Sequence, residues 1–153
     1  MNIRRATFVD AKEIRDLNVE TIQKVNAKDY TLQEINVWSS FNKIEAWEDA
    51  INQQKFWVVI KENKIIGFGS LTPNGLLDFL FVHYADQRVG IASVIEEEIE
   101  KEARSQSNEK LFASVSITAQ PFFLSKGYTI DRMESKALKG EIFINAQMEK
   151  ILK

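Results

Sequence analysis

The stretch Gln87-Arg88-Val89-Gly90-Ile91-Ala92 has the residue types and spacing of an anion-binding turn. It follows an apolar segment, Leu76 to Val82, that is typical of a strand, and it precedes an amphipathic helix that begins near Ile91. Glycine lets a ligand approach the backbone closely, and the first turn of a helix presents unpaired N–H groups at the positive end of its dipole. The pattern therefore predicts a site for a phosphate or pyrophosphate group.

A glycine before a helix most often marks only a turn. The rest of the chain must therefore show whether the loop binds a ligand and which kind of ligand it is. A dinucleotide-binding fingerprint needs three glycines and an acidic residue about 20 residues further on. A triphosphate-binding loop needs Gly-Lys followed by Ser or Thr. Neither pattern is present, so a dinucleotide and a nucleoside triphosphate are both excluded as the ligand of this loop.

Asp78 is the candidate for acid–base chemistry because it interrupts the apolar segment before the loop. By strict alternation along a strand, it would share a face with Leu80 and Val82. A carboxylate at this place can accept a proton from an ammonium group. The alternative is that Asp78 faces solvent or pairs with a structural partner.

Other conspicuous side chains have ordinary structural explanations. His83 is the only histidine, and with no cluster of ligands around it we predict no metal site and expect it to fix the turn. The acidic stretch from Glu96 to Glu102 is typical of a solvated helix face. Aromatic residues in the first half could line a pocket, but such residues more often belong to a core. These aromatic residues are Tyr30, Trp38, Phe41, Trp47 and Trp57.

Composition excludes several classes of protein. The 153 residues, 44% of them hydrophobic, are enough for one domain. The net charge of -2, from 20 basic and 22 acidic residues, gives no general attraction to nucleic acid or to an acidic membrane surface. Without a long apolar run or a signal-peptide pattern, we expect a cytoplasmic protein. The absence of cysteine excludes disulfides, thiolate metal sites and a cysteine acyl-enzyme.

Hydrophobic periodicity and turn signals predict a mixed sheet with helices packed on it. The predicted elements are, in order, a strand at 3–6, helices starting at Asp10 and Thr31, a further helical segment at 43–51, strands at 56–60, 65–71 and 76–82, a helix from Ile91, a strand at 111–115, a short helix at 119–126, and strands at 128–133 and 142–149. The three strands before the loop form a meander, and the pattern is not a repeated strand–helix–strand array.

With this order of elements, the chain resembles the GNAT superfamily of acetyl-coenzyme A dependent N-acetyltransferases over nearly its whole length. Three further segments carry the resemblance: Leu80 to His83, Ser116 to Phe123 leading to Lys126-Gly127-Tyr128, and the closing Met148-Glu149-Lys150. The stretch from Tyr30 to Trp38 and the Ser-Ile-Thr-Ala segment look similar to a YafP-like branch of bacterial members.

The resemblance implies a single domain over residues 1–153 of the α+β (α/β) class. Its mostly antiparallel central sheet would have six to seven strands, flanked by about four helices in the order β-α-α-β-β-β-α-β-α-β-β. Acetyl-CoA would be the cosubstrate, with no metal. In the family, the strand before the loop and the strand after the loop helix splay apart, so that backbone groups can pair with the pantetheine arm. The implied cofactor-binding residues are Phe81, Val82, Gln87, Arg88, Val89, Gly90, Ile91, Ala92, Ser93, Ser116 and Phe123.

The implied activity is transfer of an acetyl group to a primary amine by direct attack in a ternary complex, with Asp78 as the base. Phe123 stands where many relatives carry a tyrosine acid, so water, Tyr84 or Ser125 would have to protonate the leaving thiolate. An acyl-CoA-binding regulatory or interaction module with little turnover is the alternative, and a generic interaction domain is a third possibility. The expected partners are a small-molecule or peptide amine, with no nucleic acid and no membrane, and the chain would be a monomer or homodimer.

Overall fold

Seven strands in the computed structural model, which describes residues 1–153, form two antiparallel sheets. The first sheet contains β1 (Asn2–Arg5), β2 (Lys55–Lys61), β3 (Lys64–Leu71) and β4 (Leu77–Val82) in that spatial order. The second has the order β5 (Lys110–Val115), β7 (Glu141–Ile151), β6 (Thr129–Leu138). The α+β class and the predominance of antiparallel pairing are confirmed, but the expected single sheet is divided in two.

Five α-helices join and cover the strands. They are α1 (Ala11–Lys24), α2 (Leu32–Ser39), α3 (Ile44–Gln53), α4 (Ile91–Ser105) and α5 (Gln120–Ser125). The start signal at Thr31 is confirmed, because its hydroxyl accepts a hydrogen bond from the Glu34 N–H (3.1 Å) while the Glu34 carboxylate accepts one from the Thr31 N–H (2.8 Å). None of the helices has the length and apolar character needed to cross a membrane.

The two sheets meet at a single point, between β4 and β5. Leu76 and Phe112 form an isolated parallel bridge, and the Phe112 N–H donates to the Gly75 carbonyl oxygen at 3.1 Å. Beyond this bridge no ladder joins β4 to β5. The strands therefore separate into an open cleft, as the resemblance implied.

Helix α4 sits directly on β3, which fixes where its N-terminus points. A Cβ atom added to Gly69 would lie 2.6 Å from Ile95 Cγ2, and one added to Gly67 would lie 2.9 Å from Ile91 Cγ2. Glycine at these two strand positions is thus what allows the helix to approach so closely. The same helix residues are central to a buried cluster of 18 residues that joins the two sheets.

A second buried cluster covers the opposite face of the first sheet. Its nine residues come from α1, α3, β2 and β3, and they include Trp47, Phe56 and Phe68. Because the first sheet is covered on both faces, its strands have continuous apolar runs rather than alternating ones. Trp57 belongs to the first cluster, so its assignment to the core is confirmed.

The hairpin of β6 and β7 is longer than the sequence predicts. The residues from Glu134 to Lys136 carry no hydrophobic alternation, yet they continue the ladder opposite Asn145, Ile144 and Phe143. Backbone pairing to a long partner strand overrides the weak local preference. Lys139 and Gly140 form the tip of this hairpin.

Candidate active site

The loop before α4 has the geometry of an open anion-binding turn. Gly90 is the N-cap of the helix with a φ of +88°, and no atom lies within 4 Å of the position that a Cβ would occupy. The first intrahelical hydrogen bond runs from the Val94 N–H to the Gly90 carbonyl oxygen, so the amides of Ile91, Ala92 and Ser93 precede the helical ladder. The first turn contains no acidic residue, so nothing there repels an anion.

Two side chains tie this loop to the end of β4. The Gln87 side-chain amide donates to the carbonyl oxygen of Val82 at 2.6 Å. His83 Nδ1 accepts from the Ala85 N–H at 3.2 Å, and its Nε2 lies 2.9 Å from Glu20 Oε1. The interpretation of His83 as a turn-fixing residue is confirmed. Arg88 and Val89 are exposed on the outer side of the loop.

The facing edges of β4 and β5 present backbone groups to the cleft. The His83 N–H donates to the Ile66 carbonyl oxygen on β3, so alternation along the antiparallel ladder points the amides of Leu80 and Val82 toward the cleft. The backbone of Phe81 faces β3 by the same rule, its ring stacks on Phe68, and the residue lines the cavity described below. On β5, alternation from the bond between the Leu152 N–H and the Glu109 carbonyl turns the backbone of Ser114 toward the cleft.

A β-bulge on β4 decides where Asp78 points. Gly69 pairs with Leu80 and Leu71 pairs with Leu77, so two residues of β4, Asp78 and Phe79, oppose a single residue of β3. Leu77, Leu80 and Val82 all pack with the first cluster.

The predicted shared face of Asp78 with Leu80 and Val82 is therefore wrong, because the extra residue in the bulge breaks the alternation. Asp78 instead accepts a hydrogen bond from the Gln54 side-chain amide at 2.7 Å, at the end of α3. The carboxylate is exposed and lines a cavity.

This cavity has a volume of about 450 Å³ and lies where β4 and β5 separate. The segments that contain α2 and α3 and the β6–β7 hairpin supply its other walls, and 16 of its 22 lining residues are hydrophobic. Ser116 and Phe123, both predicted near the cofactor, line it as well.

Four of the aromatic residues singled out in the sequence also line this cavity: Tyr30, Trp38, Phe41 and Trp47. Trp47 belongs to the second buried cluster as well, so its core role is confirmed alongside its place in the wall. For the other three the preference for a core role is wrong, because none of them belongs to either buried cluster.

Tyr30 is the only tyrosine among the residues that line this cavity. The sequence analysis assigns it no chemical role. Its hydroxyl oxygen accepts a hydrogen bond from the Ile117 N–H at 3.0 Å, next to Ser116 at the end of β5. Burial raises the pKa of Tyr30 above its usual value, so the hydroxyl stays protonated at neutral pH. The capping box at Thr31 was the signal that could have placed Tyr30 at the start of a helix and close to another element.

Phe123 is 4% exposed and packs edge-on against the Tyr128 ring at 4.9 Å. Tyr84 and Ser125, the two alternative proton donors, are not among the residues that line the cavity. The Ser125 hydroxyl donates to the carbonyl oxygen of Phe122 at 2.6 Å, while Lys24 Nζ lies 4.4 Å from the Tyr84 ring centroid. The structure thus brings Tyr30, rather than either of these residues, to the same cavity as Asp78.

Glu96 is fully buried, which contradicts its assignment to a solvated helix face. The Tyr128 hydroxyl donates to Glu96 Oε2 at 2.9 Å, and Lys126 Nζ lies 3.8 Å from Oε1. Burial raises the pKa of Glu96. Glu96 follows Ile95 and precedes Ile99 by three residues, so it stands at the inner edge of the apolar stripe rather than opposite it. The pair with Tyr128 anchors α4 to the segment that leads into β6.

Two features define the class of protein. One is the mixed α+β fold with a cleft between two parallel strands, and the other is the glycine turn at the start of the helix beside that cleft. The chain belongs to the acetyltransferase (GNAT) domain family, whose model matches residues 26–150. The predicted acetyltransferase class is thereby confirmed, and enzymes of this family use acetyl-CoA as the acetyl donor. No three His, Asp or Glu side chains are grouped so that they could hold a metal ion.

Several relatives resemble this chain over nearly its full length. The uncharacterized N-acetyltransferase YafP of Escherichia coli is 25% identical over 148 residues, which are 97% of this chain and 94% of that protein. A GCN5-related N-acetyltransferase (aminotransferase, class-II) from Rhodopseudomonas palustris is 25% identical, with a TM-score of 0.93, and the match covers 99% of this chain and 95% of that one. PaiA N-acetyltransferase from Thermoplasma acidophilum, in complex with coenzyme A, shares the fold at 17% identity, with a TM-score of 0.80 and 98% of each chain covered.

Proposed function

We propose that this protein transfers the acetyl group of acetyl-CoA to the primary amine of a small molecule or peptide, by direct attack in a ternary complex. The observation that carries the proposal is the cavity that joins Asp78 to the diverging ends of β4 and β5. The Asp78 carboxylate, which would bind the ammonium group, and the strand edges suited to the pantetheine arm would then face the same cavity.

The residues of the loop fit coenzyme A. A diphosphate can approach Gly90 without obstruction, since nothing occupies the place of its missing Cβ. The amides of Val89 to Ser93 would hold the diphosphate, with the charge of Arg88 nearby and Gln87 holding the loop against β4. Val82 would offer its cleft-facing amide to the pantetheine arm, while Phe81, Ser116 and Phe123 would line the path of the acetyl end.

The chemistry requires proton transfers that the side chains of the cavity can perform. When bound, acetyl-CoA supplies an acetyl thioester that an amine can attack. An alkyl ammonium group has a pKa of about 10 and is charged at neutral pH, so Asp78 would accept its proton. The cleft-facing N–H group of Leu80 would stabilise negative charge on the acetyl oxygen.

Departure of the thiolate needs only modest help, because a thiol has a pKa of about 8.5. Phe123 has no proton to give, and we assign this role to the Tyr30 hydroxyl, which lines the same cavity. Tyr30 lies in the segment just before α2, on a different wall of the cavity from α5.

The presence of Phe123 favours a second candidate, an acyl-CoA-binding module without turnover. An assay of thiol release from acetyl-CoA, with mass spectrometry of the amine product, separates the two. We expect thiol release in equal amounts with the N-acetylated amine. A rise in melting temperature on adding acetyl-CoA, without thiol release for any amine, would support the module instead.

A further inference from the structure

We infer that the acceptor is a small arylalkylamine: one ammonium group on an apolar body of aromatic size, rather than a polyamine, an aminoglycoside or a protein lysine. This inference rests on the proposed function, since it concerns the amine that reaches Asp78. It follows from the charges, the aromatic wall and the volume of the cavity.

The charged side chains of the cavity allow for one ammonium group. Among its 22 lining residues, Asp78 is the only acidic one and Lys136 the only basic one. A polycation would place its further ammonium groups against apolar walls and near Lys136, where they would lose hydration without gaining a partner. An amine with a single positive charge meets no such penalty.

One wall of the cavity is a continuous aromatic surface. Tyr30 and Trp38 have ring centroids 5.3 Å apart in an edge-on arrangement, and Phe143 lies 6.1 Å from each of them. These are contact distances between rings, so no cation fits between them as it would in an aromatic cage. The surface is suited to pack against an apolar ring.

The tip of the β6–β7 hairpin contacts Phe41, which lines the cavity. Lys139 Nζ lies 4.7 Å from the ring centroid of Phe41 and donates to Ser40 Oγ at 2.7 Å. These contacts join the tip of the β6–β7 hairpin to the segment that follows α2. The cavity volume of about 450 Å³ is shared by the acetyl end of the donor and the acceptor, so the remaining space suits a small acceptor.

The carboxylate also selects among aromatic amines. An alkylamine is protonated at neutral pH and is drawn to Asp78, whereas an amine attached directly to a ring is neutral before it attacks and has no charge for the carboxylate to bind. We therefore assign the acceptor to amines separated from their ring by an alkyl chain.

The test compares kcat/KM of the full chain, with saturating acetyl-CoA, for 2-phenylethylamine, tryptamine, aniline, spermidine, kanamycin and a lysine-containing peptide. We expect the two arylalkylamines to exceed every other amine by about 10- to 100-fold, the range that burial of one aromatic ring provides. Trp38→Ala should remove about tenfold of this preference, and Trp38→Phe, which keeps an aromatic wall, should restore most of it.

A second readout does not need turnover. Titration of 2-phenylethylamine without acetyl-CoA should quench the tryptophan fluorescence in a saturable way, and the quench should be smaller in Trp38→Phe. Preference for spermidine, kanamycin or the peptide would overturn the inference and leave the proposed function standing. Saturable quenching with no thiol release for any amine would support the aromatic site and overturn the proposed function. Absence of both the quench and the preference would overturn the inference.

Discussion

The two halves of the cleft are built in different ways. The half formed by the loop and α4 uses backbone amides from one continuous stretch, 87–93, and its geometry depends on the left-handed conformation of Gly90. The other half uses side chains from the α2 and α3 segments, β4 and the β6–β7 hairpin, which are far apart in the sequence. A continuous backbone site recognises a constant group, whereas a site of assembled side chains can be adapted to a particular acceptor.

The comparison predicts that Asp78, which stands where the halves meet, affects turnover and not binding of the donor. Asp78→Asn keeps the size of the side chain but cannot accept the proton, so we expect kcat to fall by about 100-fold or more. The dissociation constant for acetyl-CoA should stay within about twofold, because the loop is untouched. Asp131→Asn, at an exposed residue outside the cavity, is the matched control, and equal kcat values in the two variants would remove Asp78 from the mechanism.

Substitution of two glycines, one in each half, tests whether acetyl-CoA affinity depends on the loop alone. Gly90 and Gly140 have φ values of +88° and +85°, and neither has an atom within 4 Å of the position that a Cβ would occupy, so alanine strains the backbone similarly at both. The left-handed conformation costs a residue with a Cβ roughly 1–2 kcal/mol, so the free loop of Gly90→Ala should relax out of it. Acetyl-CoA would then have to restore this conformation, and its binding should weaken about tenfold. Calorimetry should show no such change in Gly140→Ala, at the hairpin tip. Equal losses of acetyl-CoA affinity would contradict the division.

Tyr30 should contribute less than Asp78, because the thiol leaves readily. We expect Tyr30→Phe to lower kcat about fivefold near pH 7, well below the effect of an essential acid. Because burial raises the pKa of Tyr30, its hydroxyl remains a donor at mildly alkaline pH. The gap between variant and wild type should still narrow near pH 9, above the thiol pKa of about 8.5, and a gap that widens there would argue against proton donation.

Substitution of Glu96 tests what holds α4 in place. The expected effect is on stability, and it is smaller than the effects on activity and affinity described above. The pKa of Glu96 is raised in the folded protein, so the folded state retains this proton more tightly than the unfolded state. The stabilisation is complete below the usual carboxyl pKa and is lost as the pH rises through the raised value.

Glu96→Gln keeps an acceptor for the Tyr128 hydroxyl and carries no charge. Its melting temperature, relative to wild type, should therefore increase between about pH 4 and pH 7, and each unit by which the pKa is raised corresponds to about 1.4 kcal/mol. Glu98→Gln, on the same helix but partly exposed, is the control. A constant difference between Glu96→Gln and wild type across this range would contradict a raised pKa.

Sequence reasoning was most effective where the structure is local. The strand–glycine–helix order around Gly90, the capping box at Thr31 and the turn at His83 depend on neighbouring residues, and all three are present. The order of elements followed from the same local signals.

The parts that were missed depend on contacts between distant segments. The bulge at Asp78 arises from the register of β4 against β3, and a one-residue change in register cannot be deduced from alternation. Tyr30 reaches the cavity because its segment packs against the end of β5, and Glu96 is buried with Tyr128 facing it. In each case a partner far along the chain decides the role of the residue.

The division between the halves can be tested most directly by NMR titration of the ¹⁵N-labelled protein, first with coenzyme A, which has no acetyl group to transfer, and then with 2-phenylethylamine. We predict that coenzyme A shifts the backbone amides of residues 89–93 and those of Leu80 and Val82. The amine should then shift the indole N–H signals of Trp38 and Trp47, with little further change in the loop. If the amine shifted the loop amides, or if coenzyme A left them unchanged, the division into a backbone donor site and a side-chain acceptor site would be wrong.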